Sequence, residues 1–239
     1  MNRFGQFQPS QPAISADPAI ERSFVTRVYT WMALALAVTG LVASATASNE
    51  AFMTQLFGTP GIMLVLVLVQ LGLVIGLSAA VNRMSANVAT GLFIIYAAVT
   101  GLTLSTIFLV FTLESIGTVF FVTAGTFALV SAYGYVTKTD LTRVGNLAFM
   151  ALIGIILASL VNLLLRSNTL YWILTYVGVA VFVGLIAYDT QRLKQMAYGV
   201  SGDGQLQTKA AVIGALRLYL DFINLFLMLL RILGVARRR

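Results

Sequence analysis

The sequence predicts an all-α, polytopic membrane protein with seven transmembrane helices, and three observations carry that reading. The chain has 239 residues, 59% of them hydrophobic and only 10% charged, against roughly 25% charged residues in soluble domains. The stretches 28–49, 51–82, 84–113, 115–137, 144–165 and 167–188 contain no Asp, Glu, Lys or Arg, and each is at least 22 residues long. A helix needs about 20 predominantly apolar residues to cross the hydrocarbon core. A helix of a soluble core would show a polar face every turn or so, and these stretches do not.

The elements follow in order. Residues 1–23 are polar, with Gln, Pro, Ser, Asp17 and Glu21. They lack the apolar core of a signal peptide, so a disordered cytoplasmic tail is expected there. The membrane domain then spans 24–234, with helices expected at 24–47, 60–81, 88–111, 115–136, 144–165, 170–188 and 210–233. In lipid, backbone polar groups must be satisfied within the segment, which makes helix the sensible form for uncharged runs of this length. Breakers separate the spans: Thr59-Pro60-Gly61, Ser167-Asn168 and Ser201-Gly202-Asp203-Gly204. A long polar linker is expected over 192–209, and residues 235–239 form a basic tail ending Arg237-Arg238-Arg239.

The formal net charge of +7 does not indicate nucleic-acid binding, because the basic residues sit between apolar spans where they meet lipid headgroups. Their alternation orients the chain. Arg3, Arg22 and Arg27 precede the first span, Arg83 follows the second, Lys138 and Arg143 follow the fourth, and Arg192, Lys194 and Lys209 follow the sixth. The intervening loops carry only Arg166, which places the N-terminus in the cytoplasm. The three terminal arginines conflict with that rule: seven complete spans put them outside, and a re-entrant last helix would keep them inside. Seven complete spans are expected. There is no cysteine and no histidine, which removes thiolate chemistry, the usual metal ligands and the usual switch near neutral pH. Proton chemistry here falls to carboxylates, and no metal site or cofactor is expected.

The last span is the one interrupted by charge. Arg217, Asp221, Asn224, Met228 and Arg231 are spaced four, three, four and three residues apart, which lines them along one helix face. A carboxylate facing lipid is costly, so such a stripe turns toward protein or water. Asp221 lies about 6 Å inward of Arg217 along the helix, and Asp189 ends the sixth span near the same boundary. Two readings are open. Asp221 pairs with Arg217 while Asp189 caps a helix near Arg192, or the two aspartates share one poorly solvated site. In the second case they cannot both ionise cheaply and titrate as a unit; the stripe favours this reading. Tyr96, Thr100 and Thr103 on the third helix, with Gln70 and Asn162, are explained by helix packing.

Several segments resemble the Bax inhibitor-1 family (transmembrane Bax inhibitor motif proteins): Gly184-Leu-Ile-Ala-Tyr-Asp-Thr-Gln191, Ala215-Leu-Arg-Leu-Tyr-Leu-Asp-Phe-Ile-Asn-Leu-Phe226, Leu229-Leu-Arg-Ile-Leu-Gly234 and Gly101-Leu-Thr-Leu-Ser105. The resemblance covers about 24 to 234 and is to the bacterial type. It implies seven helices with the C-terminal helix central and surrounded by the other six, in the cell (inner) membrane. It implies a pH-sensitive calcium leak channel whose sensor aspartates match Asp189 and Asp221, with Arg83 matching the arginine that latches one aspartate in the closed form. Arg217, Asn224 and Arg231 are the supporting polar stripe. Calcium or other cations in transit and the lipid bilayer are the implied partners. Some bacterial relatives restrain a membrane-bound protease, so a non-catalytic partner role is the alternative.

No enzymatic activity is expected. Two aspartates on adjacent helices superficially resemble an intramembrane aspartyl protease, for which a shared proton would serve. Such enzymes carry Gly-x-Gly-Asp at the second aspartate, however, whereas Asp221 follows Leu218-Tyr-Leu.

Overall fold

The computed structural model describes residues 18–200 and 203–237. Within them the chain forms α1 (Pro18–Ala47), α2 (Glu50–Gly58), α3 (Ile62–Ala80), a 3-10 turn (Val81–Arg83), α4 (Ala86–Leu104), α5 (Ile107–Val110), α6 (Leu113–Val136), α7 (Thr142–Leu165), α8 (Asn168–Gly199) and α9 (Gly204–Leu233). Seven helices among the described residues are long and apolar enough to cross a membrane: α1, α3 with its 3-10 turn, α4 with α5, α6, α7, α8 and α9. Short polar side chains begin several of the helices. Asn49 accepts from Phe52 N, Ser85 from Val88 N, Thr112 from Ser115 N and Ser167 from Leu170 N, satisfying amides that a helix start leaves unpaired.

Each span reverses direction, so the connections fall on two faces. The turns at 81–85 and 137–141, the end of α8 and the start of α9 share the N-terminal face with the start of α1. The opposite, C-terminal face holds α2, α5, the turn at Arg166-Ser167 and residues 234–237. The end of the chain is tied down there: Ala236 bridges Phe111, Thr112 N donates to Val235 O at 3.1 Å, and Arg237 N donates to Val110 O at 2.8 Å. The last helix therefore runs unbroken from one end of the bundle to the other.

Core position follows from composition. α9 is the most buried span, 56% of its apolar window against 11% for α3 and α7, and its main neighbours are α1, α4, α6 and α8. Val212, Ala215, Leu218, Tyr219 and Leu225 of α9 have no exposed surface. α3 packs mainly on α4 and α7 mainly on α8. The outward residues of these two helices, among them Leu64, Ile75, Met150 and Leu164, remain bare for lipid.

Three expected boundaries shift. α1 starts at Pro18, inside the stretch expected as a tail; residues 1–17 lie outside the described residues. Proline suits the first helical turn, where its missing N–H costs nothing. The expected third span, 88–111, breaks after Leu104. Ser105 Oγ donates to Leu102 O at 2.6 Å and Thr106 Oγ1 to Thr103 O at 2.8 Å, local bonds that compete with helix continuation. The largest correction concerns the polar linker 192–209, most of which is helix. No glycine or proline lies between Asp189 and Gly199 to end α8, and its 32 residues span about 48 Å, well beyond a hydrocarbon core of about 30 Å. The extension docks instead of fraying. Lys194 Nζ donates to Tyr135 O at 2.8 Å and lies 3.7 Å from Glu21 Oε1, while the Tyr198 hydroxyl donates to Glu21 Oε2 at 2.5 Å. Asp203 then caps α9 through Gln205 N and Leu206 N.

Candidate functional site: a carboxyl pair between α8 and α9

Close backbone approaches fix where α8 runs. At Gly134 of α6 the space a side chain would need is filled by the backbone of Ala187, and at Gly145 of α7 it is filled by the Tyr188 ring. Gly178 sits on Met228 and Gly214 on Leu193, which sets the antiparallel register of α8 on α9. In that register Asp189 lies level with about Leu218, and Asp221 is about three residues, roughly 4.5 Å, further toward the C-terminal face. The packing glycines thus bracket the Tyr188-Asp189 segment and deliver it to α9.

The structure brings the two aspartates together. Each carboxyl lies within interaction range of the other and of the Arg217 guanidinium, and Arg192 adds a further positive charge beside Asp189. Asp221 is buried, 6% exposed, and its Oδ2 has no hydrogen-bond partner among the described residues. A buried carboxylate oxygen facing no donor is costly. Beside it lies a second carboxyl, that of Asp189. Of the first sequence reading only the neighbours remain: Arg217 and Arg192 act on the carboxyls, but α8 runs on to Gly199, so Asp189 caps no helix, and no ion pair joins Asp221 to Arg217 among the described residues.

The other expected site residues are dispersed. Arg83 is exposed at the 3-10 turn, and no ion pair joins it to Asp189 among the described residues. Its turn is instead held by α9: Lys209 Nζ donates to Met84 O at 3.1 Å and Gln205 Oε1 accepts from Ala86 N at 3.3 Å. Asn224 donates to Leu220 O of its own helix at 2.8 Å. Arg231 is exposed at the C-terminal face, its Cζ 5.3 Å from the centre of the Tyr171 ring. The supporting stripe therefore runs from the pair, through a self-satisfied amide, to a surface guanidinium.

Sequence reasoning missed two polar links into this centre. Tyr219 is wholly buried; its hydroxyl lies 2.7 Å from Thr39 Oγ1, which in turn donates to Ala97 O at 2.9 Å. Its ring makes edge contacts with Phe93 and Tyr96, tying α1, α4 and α9 together. Beside the pair, Thr190 Oγ1 lies 3.4 Å from both Tyr29 OH and Ser131 Oγ, linking α1, α8 and α6. A Thr directly after Asp189 was the available signal; which helices would face it was not. The packing reading of Gln70 holds, since its Nε2 bonds Thr103 Oγ1 and Val99 O on α4. Among the described residues no group of three or more acidic side chains could hold a metal ion.

Seven apolar spans, with Asp221 buried among them and Asp189 and Arg217 half-buried beside it, define a multi-pass membrane protein with a polar centre. The chain belongs to the family described as inhibitor of apoptosis-promoting Bax1, whose model matches residues 21–238. It is 50% identical to the inner membrane protein YbhL of Escherichia coli K12, over 99% of this chain and 100% of that one. It is 44% identical to a protein of Borreliella burgdorferi, covering 91% and 94% of the two chains, and 38% identical to one of Caulobacter vibrioides, covering 99% and 100%.

Proposed function

We propose that the protein is a pH-sensitive leak pathway for cations, with calcium as the expected ion, gated by the proton shared between Asp189 and Asp221. It would reside in the inner membrane, as the name of its Escherichia coli relative suggests, with the N-terminal face in the cytoplasm by the distribution of Lys and Arg. The observation that carries the reading is the buried Asp221 Oδ2 without a donor, beside a second carboxyl. A proton there holds α8 and α9 together. Its loss leaves two negative charges facing Arg217 and changes the balance between arrangements of the two helices.

In the shut state Asp189 is proposed to pair with Arg83. The bonds from Gln205 and Lys209 to the turn that carries Arg83 supply a linkage, because movement of α9 carries that turn with it. Protonation of the pair weakens the Asp189–Arg83 attraction and shifts the population toward the open form. The test is calcium-dye flux in liposomes from about pH 6 to about pH 8. Wild type should pass more calcium at the acid end, and Asp221→Asn should lose that dependence. Equal flux in the two proteins at every pH removes the gate.

A further inference from the structure

Two arginines converge on the C-terminal face, far from the carboxyl pair. Arg166, which ends α7, and Arg231, near the end of α9, open onto one groove whose lining includes Ser159, Asn162, Leu163 and Tyr171, with a cavity volume of about 460 Å³. The backbone that carries Arg166 and the guanidinium of Arg231 are both held in place. Arg166 sits at φ 51, the sole non-glycine residue with positive φ among the described residues. Glycine is usual at such helix ends, so an arginine there accepts backbone strain. Its amide donates to Asn162 O at 2.8 Å, and Asn162 Oδ1 accepts from Ser167 N at 3.0 Å, which fixes the turn. Arg231 is propped on the Tyr171 ring. No carboxylate pairs with either arginine among the described residues. Like charges facing one groove repel, and an anion between them removes the repulsion.

The surroundings identify the anion's source. Tyr171, Trp172 and Tyr176 follow one another along the start of α8, with Trp172 stacked on Tyr176 at 6.0 Å. Aromatic rings of this kind mark the headgroup level of a bilayer. Leu163 and Leu174 line the groove, and Leu164 of α7 with Ile173 and Val177 of α8 are further exposed apolar residues on the helices that form it. Topology does not explain the arginines, since most Lys and Arg lie on the opposite face. We propose that this groove is a binding site for an anionic phospholipid. Arg166 and Arg231 hold its phosphate oxygens, Ser159 and Asn162 meet the polar headgroup, and Leu163 lies against the start of an acyl chain.

The experiment uses the full-length protein in a neutral detergent. Native mass spectrometry follows retention of phosphatidylglycerol, phosphatidylcholine and inorganic phosphate in parallel titrations. Phosphatidylglycerol should be retained preferentially, and Arg166→Gln and Arg231→Gln should each weaken it about five-fold, leaving phosphatidylcholine unchanged. The double variant Arg166→Lys/Arg231→Lys should keep most of the preference, and it carries the test if a glutamine variant proves unstable in thermal melts. Equal retention of the two lipids by wild type overturns the proposal, as does undiminished phosphatidylglycerol binding in both glutamine variants. Displacement of the lipid by equimolar inorganic phosphate overturns it too, by marking a free-anion site.

Discussion

Replacing Gly134 by alanine tests whether backbone contact between α6 and α8 sets the position of Asp189. The added methyl would land inside the backbone of Ala187, against its carbonyl oxygen, carbonyl carbon and Cα. Unlike the tip of a flexible side chain, a helix backbone cannot turn aside, so α8 must move by about 1 Å to restore ordinary carbon contacts near 3.5–4 Å. Overpacking of this kind costs about 1–3 kcal/mol. For a chain of this size each kcal/mol lowers Tm by about 2–4 °C, so a fall of about 2–12 °C is expected. Gly125→Ala on the same helix is the control, because nothing lies within 4 Å of its would-be Cβ. Thermal melts in detergent, followed by circular dichroism, compare the two. Liposome flux should show a displaced pH response in Gly134→Ala alone, because Ala187 lies two residues before Asp189. Indistinguishable melts for the two variants would refute the reasoning.

Other consequences follow from individual contacts. Tyr219→Phe should cost about 1–3 kcal/mol, because it strips the buried Thr39 hydroxyl of one partner; Tyr219→Phe/Thr39→Val should cost less than the sum of its single variants in the same melts. Arg83→Gln should leave the melting temperature near wild type, because the side chain is exposed, while raising calcium flux near neutral pH if Arg83 latches the shut state. Asp140 lies in the turn before α7, and its hydrogen bonding to Thr142 holds the carboxyl below its ordinary value. A depressed carboxyl contributes stability above its unfolded-state value and loses it as pH falls through the folded one. The stability advantage of wild type over Asp140→Asn, read from melts across an acid series, should therefore shrink toward low pH.

The spans were legible because runs free of charge and longer than 20 residues have one solution in lipid. The pair was legible because Asp221 interrupts such a run and Asp189 ends another. What stayed hidden depends on neighbours that local sequence does not name. The start of the expected linker, Arg192–Tyr198, reads as loop on composition, yet Glu21 and Tyr135 on other helices give Lys194 and Tyr198 partners and keep it helical. Arg83 was singled out by resemblance, whereas the arginine within reach of both carboxyls is Arg217, already on the stripe. Arg231 shared that stripe by spacing, and the same spacing, about 14 residues or roughly 21 Å from Arg217, already pointed to the opposite interface.

Infrared difference spectra of the protein in liposomes, recorded across a pH step, test the shared proton most directly. One proton between Asp189 and Asp221 should give a single protonated-carboxyl band for the pair, absent in Asp189→Asn/Asp221→Asn and shifted in each single variant. Two bands that titrate independently, with either one untouched by substitution of the other aspartate, would contradict it.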